Sequence, residues 1–254
     1  GAIDGGAGQD TLDFSAYQTA RNFILTAVGK DGFTGKEGAI TAGFANIDNL
    51  IGSSANNDRL TGLDTGATHN GKATFVLDSN PRYLTGSYEL TFDGIENLYG
   101  GSANDLFEIH GIGGQHSYKL YGGAGDDTFK FIGAAELDGT IDGGSGVNTL
   151  DYSSSDYKDN EGNNIGVKVD LSEGSATSVS GGAKDKVQNI SNLIGSAYDD
   201  TLIGNDRDNV IIGGQGNDRL EGRGGYNTYI FEEDWGTDQV INSSGQGMLD
   251  LSAL

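Results

Sequence analysis

The sequence predicts an all-β fold, a parallel β-roll or β-helix solenoid with glycine-rich turns and longer strand-rich inserts. The first observation behind this is a nine-residue unit in tandem: GSAYDDTLI from 195, GNDRDNVII from 204, GGQGNDRLE from 213 and GRGGYNTYI from 222. Each unit begins with Gly. Each carries Asp or Asn at its sixth place (Asp200, Asn209, Asp218, Asn227) and a large apolar residue at its eighth (Leu202, Ile211, Leu220, Tyr229). Self-similarity at a short fixed period is the signature of a stacked architecture. The second observation is composition: 44 of 254 residues are Gly, one is Pro and 35% are apolar. That is a thin supply for an ordinary core, but it suits coils that cover one another. The third is that no segment shows helical periodicity with caps, whereas several alternate as strands do.

In chain order, GAIDGGAGQDTLDFS at 1–15 opens the sequence and returns as GTIDGGSGVNTLDYS at 139–153, with a degraded third copy, VINSSGQGMLDLSAL, at 240–254. Within these phrases lie the nonapeptides GGAGQDTLD from Gly5 and GGSGVNTLD from Gly143. A second phrase recurs as NIDNLIGSSANND from Asn46, GIENLYGGSAND from Gly94 and NISNLIGSAYDD from Asn189. The inserts read as strands at 22–28, 73–79, 88–92 and 165–171, separated by polar turns such as GKDGFTGKEG and DYKDNEGNN. Further nonapeptides are GGSANDLFE from Gly100 and GGAGDDTFK from Gly122; GGQHSYKLY from Gly113 lacks the acid, and SSANNDRLT from Ser53 keeps Asp58 and Leu60 without the glycines. These nested repeats divide the chain into a first long unit, 1–138, and a second, 139–254, of one continuous solenoid. Gly1 already lies inside a repeat, so the chain reads as a piece of a longer one.

A nonapeptide divides naturally into a six-residue turn and a three-residue strand whose middle residue, at the eighth place, points inward. Two units then make a coil, and residues one coil apart stack about 4.8 Å from each other. Asp200 should lie over Asp218 and Asn209 over Asn227. Stacked carboxylates repel unless a cation lies between them. Ca²⁺ takes six to eight oxygens from carboxylates and backbone carbonyls, and glycine with φ > 0 lets a turn direct its carbonyls into one hollow. The net charge of −22 and the lack of Cys agree: bound cations would offset self-repulsion and would replace disulfides as staples.

These units resemble the RTX, or haemolysin-type, calcium-binding repeats, with the pattern G-G-x-G-x-D-x-U-x. Residues 5–13, 122–130 and 213–221 match it at every fixed place. The resemblance implies a right-handed parallel β-roll with several Ca²⁺ ions between turns of successive coils, and secretion from a bacterium, commonly by a type I system, with folding outside the cell. It implies Asp10, Asp127 and Asp218 as ligands, and Asp105 and Asp200 from turns one glycine poorer. Carbonyl ligands would come from Gly5, Ala7, Gly100, Gly122, Ala124, Gly143, Gly195, Ala197, Gly213, Gln215 and Gly216. Asp58 keeps the frame, and Asp238 precedes Val240 as a sixth-place acid precedes its apolar partner. Asn148, Asn209 and Asn227 stand in place of Asp and give neutral, weaker ligands or no ion. In the turn from Gly204, Arg207 stands where glycine belongs; the expectation is a positive group in the hollow and a Cβ that resists φ > 0. Over the longer inserts, 14–51, 63–99 and 154–190, the likeness is to material between repeats of giant bacterial surface proteins, and a coil widened into a larger parallel β-helix is expected.

The acidic balance argues against a nucleic-acid partner, and no apolar run approaches the roughly 18 residues of a membrane span. His69, His110 and His116 are framed by no triad or zinc motif, the glycine turns carry no G-K-[ST], and EF-hand spacing is absent because Lys158 takes a ligand place. The expected function is a non-enzymatic, calcium-folded structural or adhesive segment of a large secreted protein. Its partners would be calcium and the neighbouring repeats. The alternatives are a calcium-binding module attached to a secreted enzyme or toxin, and a glycan-binding module using Tyr83, Tyr88, Tyr118, Tyr121 and Trp235, residues that could equally fill the coil.

Overall fold

The structure, a computed structural model, describes residues 1–64, 73–111 and 117–253. Strands account for nearly all its regular structure, the exception being a single 3₁₀ turn at Ser180–Gly182. Among the described residues no helix is long and apolar enough to cross a membrane.

The strands form the walls of a solenoid. One wall is a 12-stranded sheet that begins at Thr11–Asp13 and ends at Gln246–Asp250; it includes strands from both sides of position 138. Opposite it stand a nine-stranded sheet from Ile3–Asp4 to Val187–Gln188 and a five-stranded sheet from Ser175–Ala176 to Gln239–Ile241. In the nonapeptide run the strands are the expected three-residue pieces. In Val210–Ile212 and Arg219–Glu221 only the middle residue is buried, because alternate side chains of a strand face opposite ways. Leu202 pairs with Leu220 and Ile211 with Tyr229, in parallel.

The inward residues form columns. Phe75, Phe107 and Phe129 are fully buried and stack with ring centroids 5.0 and 4.9 Å apart, close to the spacing between neighbouring strands. Leu150, Leu193, Ile211 and Tyr229 continue the same column. On the facing wall Leu60, Leu98, Leu120, Ile141 and Val187 do likewise. Each fully buried side chain of this size contributes about 1.5–3 kcal/mol, which is how a chain with few apolar residues holds together.

Two expectations about the inserts are corrected. They are not widened parallel coils. Strands Asn22–Val28, Phe33–Glu37 and Ile40–Ile47 form an antiparallel meander within the nine-stranded wall, and Ala73–Leu77, Arg82–Thr85 and Tyr88–Asp93 form another within the 12-stranded wall. Their outer strands rejoin the stack in parallel, as Asn22–Val28 on Arg59–Thr61 and Tyr88–Asp93 on Asn49–Ile51. The supposed polar turn GKDGFTGKEG therefore contains a strand, with Phe33 and Glu37 buried. Its alternation is masked by the Gly35 between them, where a Cβ would press on the Phe44 ring and on the carbonyl of Ile24.

The third insert changes walls. After Thr149–Ser155 the chain starts the five-stranded sheet at Lys168–Asp170, returns to finish the nine-stranded sheet at Val187–Gln188, then re-enters the 12-stranded wall at Asn192–Ile194. Tyr152 and Tyr157 fill the junction, their hydroxyls donating to the carbonyls of Thr177 and Ala135, both at 2.7 Å. Coil length follows the turns. Asp200 and Asp218 are 18 residues apart, whereas Asp105, Asp127 and Asn148 are spaced by 22 and 21.

Candidate metal centre

Each nonapeptide turn ends by placing its sixth residue just before a strand or within its first two residues, at the solenoid edge. Asp105, Asp127, Asn148, Asn209 and Asn227 enter the 12-stranded wall; Asp58 enters the nine-stranded wall, and Asp200, Asp218 and Asp238 the five-stranded one. Asp58, Asp105, Asp127, Asn148, Asp200, Asn209, Asp218 and Asn227 are all at most 2% exposed, while Asp238 and Asp10 are half-buried.

A single hydrogen-bonding rule connects them. The backbone N–H of the sixth residue donates to the side-chain oxygen of the sixth residue on the next coil. The bonds are Asp105 to Asp127 (2.8 Å), Asp127 to Asn148 (2.9 Å), Asp200 to Asp218 (2.8 Å), Asp218 to Asp238 (2.9 Å) and Asn209 to Asn227 (3.1 Å). The rule extends to acids outside any full nonapeptide: Asp10 N–H donates to Asp48 (2.9 Å) and Asp58 N–H to Glu96 (2.9 Å). A second ladder runs the opposite way from the fifth place. Asp126 N–H donates to Asn104 (2.8 Å), Val147 to Asp126 (2.7 Å), Asn217 to Asp199 (2.8 Å) and Tyr226 to Asp208 (2.7 Å). Sequence reasoning missed Asp48, Glu96 and this second ladder. The signal was the Asn or Asp at the fifth place in Asn104, Asp126, Asp199, Asp208 and Asn217.

The first-place glycines are buried at Gly100, Gly122, Gly143, Gly195 and Gly213 for a steric reason. A Cβ on Gly122 would strike the Asp127 carboxylate and lie 2.6 Å from the Gly143 carbonyl; one on Gly100 would strike Asp105 and lie 2.5 Å from the Gly122 carbonyl. At the second and fourth places φ is positive, as in Gly123 (105°) and Gly125 (111°), and in Gly214 (99°) and Gly216 (124°), a region open to glycine and costly for other residues. Third-place Ala7, Ala197 and Gln215 are exposed at the rim, Ala124 half-buried. Second-place carbonyls are already used between coils, since Ala124 N–H donates to Gly101 (3.0 Å) and Ser145 N–H to Gly123 (2.8 Å).

Within this lattice several carboxylate oxygens have no partner. Asp10 Oδ2, Asp127 Oδ2, Asp218 Oδ2 and both oxygens of Asp105 are buried without a hydrogen bond among the described residues. Burial pushes Asp105, Asp127 and Asp218 up. Asp105 is raised to about 8, by burial first and then by Asp127 and Asp64. Asp218 is raised to about 7 by burial, then by Asp200, Asp238 and Asp199, and Asp127 to about 6 by burial and Asp126. Buried polar atoms without partners are uncommon in folded proteins and call for an explanation. Among the described residues no three His, Cys, Asp or Glu side chains converge as a metal cluster, so a cation here would need backbone carbonyls beside the carboxylates, a mixture that Ca²⁺ accepts. The orphaned oxygens and the glycine-lined turns fit that cation.

The RTX calcium-binding nonapeptide repeat matches the chain in four copies, over residues 2–16, 119–130 and 194–229. These turns are RTX calcium-binding repeats. The RTX segments include the turns of Asp10, Asp127, Asp200, Asn209, Asp218 and Asn227, while those of Asp58, Asp105 and Asn148 lie outside the matched ranges. A search of curated proteins finds no match to the chain.

Other expectations fare unevenly beside the RTX turns. The turn from Gly204 follows a different path: Arg207 does not adopt positive φ. Its N–H donates to Asn205 Oδ1 (2.9 Å), and its guanidinium reaches outward to Asn189 (3.5 Å) instead of entering the hollow. Tyr83 is fully buried and accepts from Leu63 N–H (2.9 Å), and Tyr118 is 9% exposed, so neither offers a face to a sugar. Tyr121 stacks on Tyr99 at 4.1 Å, with Arg59 over the Tyr99 ring, and Trp235 lies edge-on to Phe231. Tyr88 is half-buried. His110 sits beside Glu108 at 3.6 Å, while His69 and His116 lie outside the described residues.

Proposed function

We propose that this chain is a non-enzymatic segment of a large secreted bacterial protein, folded and stiffened by calcium, with a structural or adhesive role outside the cell. The observation that carries the reading is the set of buried, unpartnered carboxylate oxygens in the glycine turns. A divalent cation supplies the charge that each lacks, and carbonyls bordering the first-place glycines complete its shell. When bound, the ion contributes Lewis-acid charge compensation and no reaction. The protein's own part is to hold the carboxylates in register through the N–H ladder, so that the ligands of one coil are positioned by the next.

A structural role is supported by the uninterrupted 12-stranded sheet. It spans the proposed long units 1–138 and 139–254. Both units repeat one joint: Asn46 Nδ2 donates to Asp4 (2.8 Å) in the first, and Asn189 Nδ2 to Asp142 (2.7 Å) in the second. Neighbouring repeats of the same chain are the natural partners of such a stack. An extracellular setting is supported by the kind of ligand set, since sites of this class in extracellular modules bind at about 10⁻⁴–10⁻³ M and are filled where calcium is abundant.

The test is circular dichroism of the purified chain in calcium-free buffer and on adding calcium. The expected result is a coil spectrum that converts to β with calcium, because ligands absent from the unfolded state turn binding energy into folding energy. A β spectrum unchanged by calcium removal would refute the proposal.

A further inference from the structure

The sixth-place residues differ in one atom, and the structure shows what that atom does. In Asp127, Oδ1 accepts the N–H of Asp105 and Oδ2 has no partner. In Asn148, Oδ1 performs the same task for Asp127 (2.9 Å), and Nδ2, standing where the second carboxylate oxygen would be, donates to the Asn189 carbonyl at 3.0 Å. Asn227 repeats this: its Oδ1 accepts from Asn209 (3.1 Å) and its Nδ2 donates to the Gly224 carbonyl (2.9 Å). Asn209 Nδ2 donates to the Ser191 carbonyl at 2.9 Å. In every Asn turn the amide hydrogens point at backbone carbonyls, which are the groups a cation would otherwise take.

Serine closes a second set of turns. Where Ser stands at the first or second place of the turn, as Ser53 and Ser196 do, its N–H and hydroxyl both reach back to the sixth-place carboxylate. Ser53 donates to Asp58 through N–H (2.8 Å) and Oγ (2.8 Å), and Ser196 donates to Asp200 through N–H and Oγ (2.8 Å). The coil before adds another donor to each, from Arg21 and from Val167. Asp58 and Asp200 therefore have their oxygens satisfied, unlike Asp10, Asp105, Asp127 and Asp218.

We infer that the turns are of two kinds: Asp10, Asp105, Asp127 and Asp218 take calcium, whereas the Asn turns (148, 209, 227) and the Ser-closed turns (Asp58, Asp200) are hydrogen-bonded, ion-free substitutes. The inference rests on the calcium-binding reading above. The Asn turns hold the same ladder without a charge, and the Ser-closed turns hold it with a carboxylate whose oxygens are met by N–H and hydroxyl donors. They restrict calcium to chosen levels of the solenoid, and the edge running through Asn148, Asn209 and Asn227 is closed by amides. The turn GGSGVN is the sharpest case. It has the whole glycine set, with φ of 80° at Gly144 and 116° at Gly146, and only the amide of Asn148 fills the hollow.

The experiment measures calcium per chain by elemental analysis after equilibrium dialysis of the full chain and of single variants. Asn148→Asp should gain about one ion, Asp127→Asn should lose about one, and Asp200→Asn should lose none. Wild-type protein that holds no calcium would overturn the calcium-binding reading itself. Wild-type protein that holds calcium, with Asp200→Asn losing as much as Asp127→Asn, would overturn this inference alone. A folded Asn148→Asp that gains no ion would overturn it as well. Circular dichroism of each dialysed variant establishes that it is folded; the Asp200→Asn comparison decides the matter should Asn148→Asp fail to fold.

Discussion

Acid should stabilise the calcium-free protein and destabilise the calcium-loaded one. Without an ion, burial raises Asp105 from 3.8 to about 8, Asp218 to about 7, and Asp127 and Asp200 to about 6. In the unfolded chain these groups lose their protons near 3.8. Between that value and the folded one, the folded state binds more protons, so the free energy of unfolding falls as pH rises. The contribution is fully present below about pH 4 and is lost as pH climbs through 6 to 8. At about 1.4 kcal/mol per pH unit, Asp105 alone accounts for on the order of 5 kcal/mol over its range, a large share of the 5–15 kcal/mol that holds a typical domain. With calcium the sign reverses, because the ion needs ionised carboxylates and protons compete with it.

The assay is thermal melting by circular dichroism in metal-stripped buffers from about pH 5 to about pH 8.5, with and without calcium. The ion-free chain, coil near neutral pH, should gain a β melting transition toward about pH 5, and that transition should fall by about 10 °C or more and then be lost as pH rises. General relief of a net charge of −22 would also favour acid, so two variants separate the causes. Asp105→Asn should flatten the profile above about pH 7. Asp13→Asn should not, since Asp13 is exposed and held below its ordinary value by hydrogen bonds from Ser15. An ion-free melting temperature that rises with pH, or a slope that Asp105→Asn leaves intact, would refute the reasoning.

Gly122→Ala should cost a few kcal/mol, because its Cβ would meet the Asp127 carboxylate and the Gly143 carbonyl, whereas Gly1→Ala, with nothing within 4 Å, should be silent in the same melts. Asp218→Ala should sharply reduce the rise in melting temperature that calcium produces, while His110→Ala, remote from any sixth-place carboxylate, should leave it unchanged. Phe107→Ala removes the middle ring of the Phe75–Phe107–Phe129 stack and should cost the calcium-loaded protein about 3–5 kcal/mol, as denaturant titration would show.

Whatever is local and periodic was legible in the sequence. The six-plus-three division of the nonapeptide, the inward Leu202, Ile211, Leu220 and Tyr229, and the stacking of Asp200 on Asp218 follow from a two-residue strand period and an 18-residue coil. The meanders were not legible. A strand such as Ala73–Leu77 has the same alternation whether its neighbour runs parallel or antiparallel, and the choice is made by chain segments far away. The closure by Ser53, Ser196 and Asn148 was equally hidden. Reading it requires knowing that a sixth-place side chain faces the backbone of the adjacent coil. Arg207 departs from expectation for a related reason: Asn205 supplies a side-chain oxygen that holds the turn without positive φ.

The two meanders make sense only as a pair. From Asp13 the chain enters the nine-stranded wall two levels ahead, at Asn22–Val28, and steps back through Phe33–Glu37 to Ile40–Ile47 beside Ile3–Asp4. Once Asn49–Ile51 has joined the other wall, the first is still two strands richer. After Arg59–Thr61 the chain does the same on the 12-stranded wall, entering at Ala73–Leu77 and stepping back to Tyr88–Asp93 beside Asn49–Ile51. The walls are level again when Asn97–Gly101 and Asp105–His110 are laid down. Two strand spacings amount to about 10 Å, more than the short turn between Gly101 and Asp105 can span while keeping Asp105 in register with Asp127. The sixth-place ladder on which the calcium turns depend therefore requires the walls to advance together. An antiparallel excursion in one wall, with no mirror in the other, would separate the carboxylates from the N–H groups and carbonyls that position them. The variable part of the sequence is thus constrained by the repetitive part, through strand count and not through residue identity.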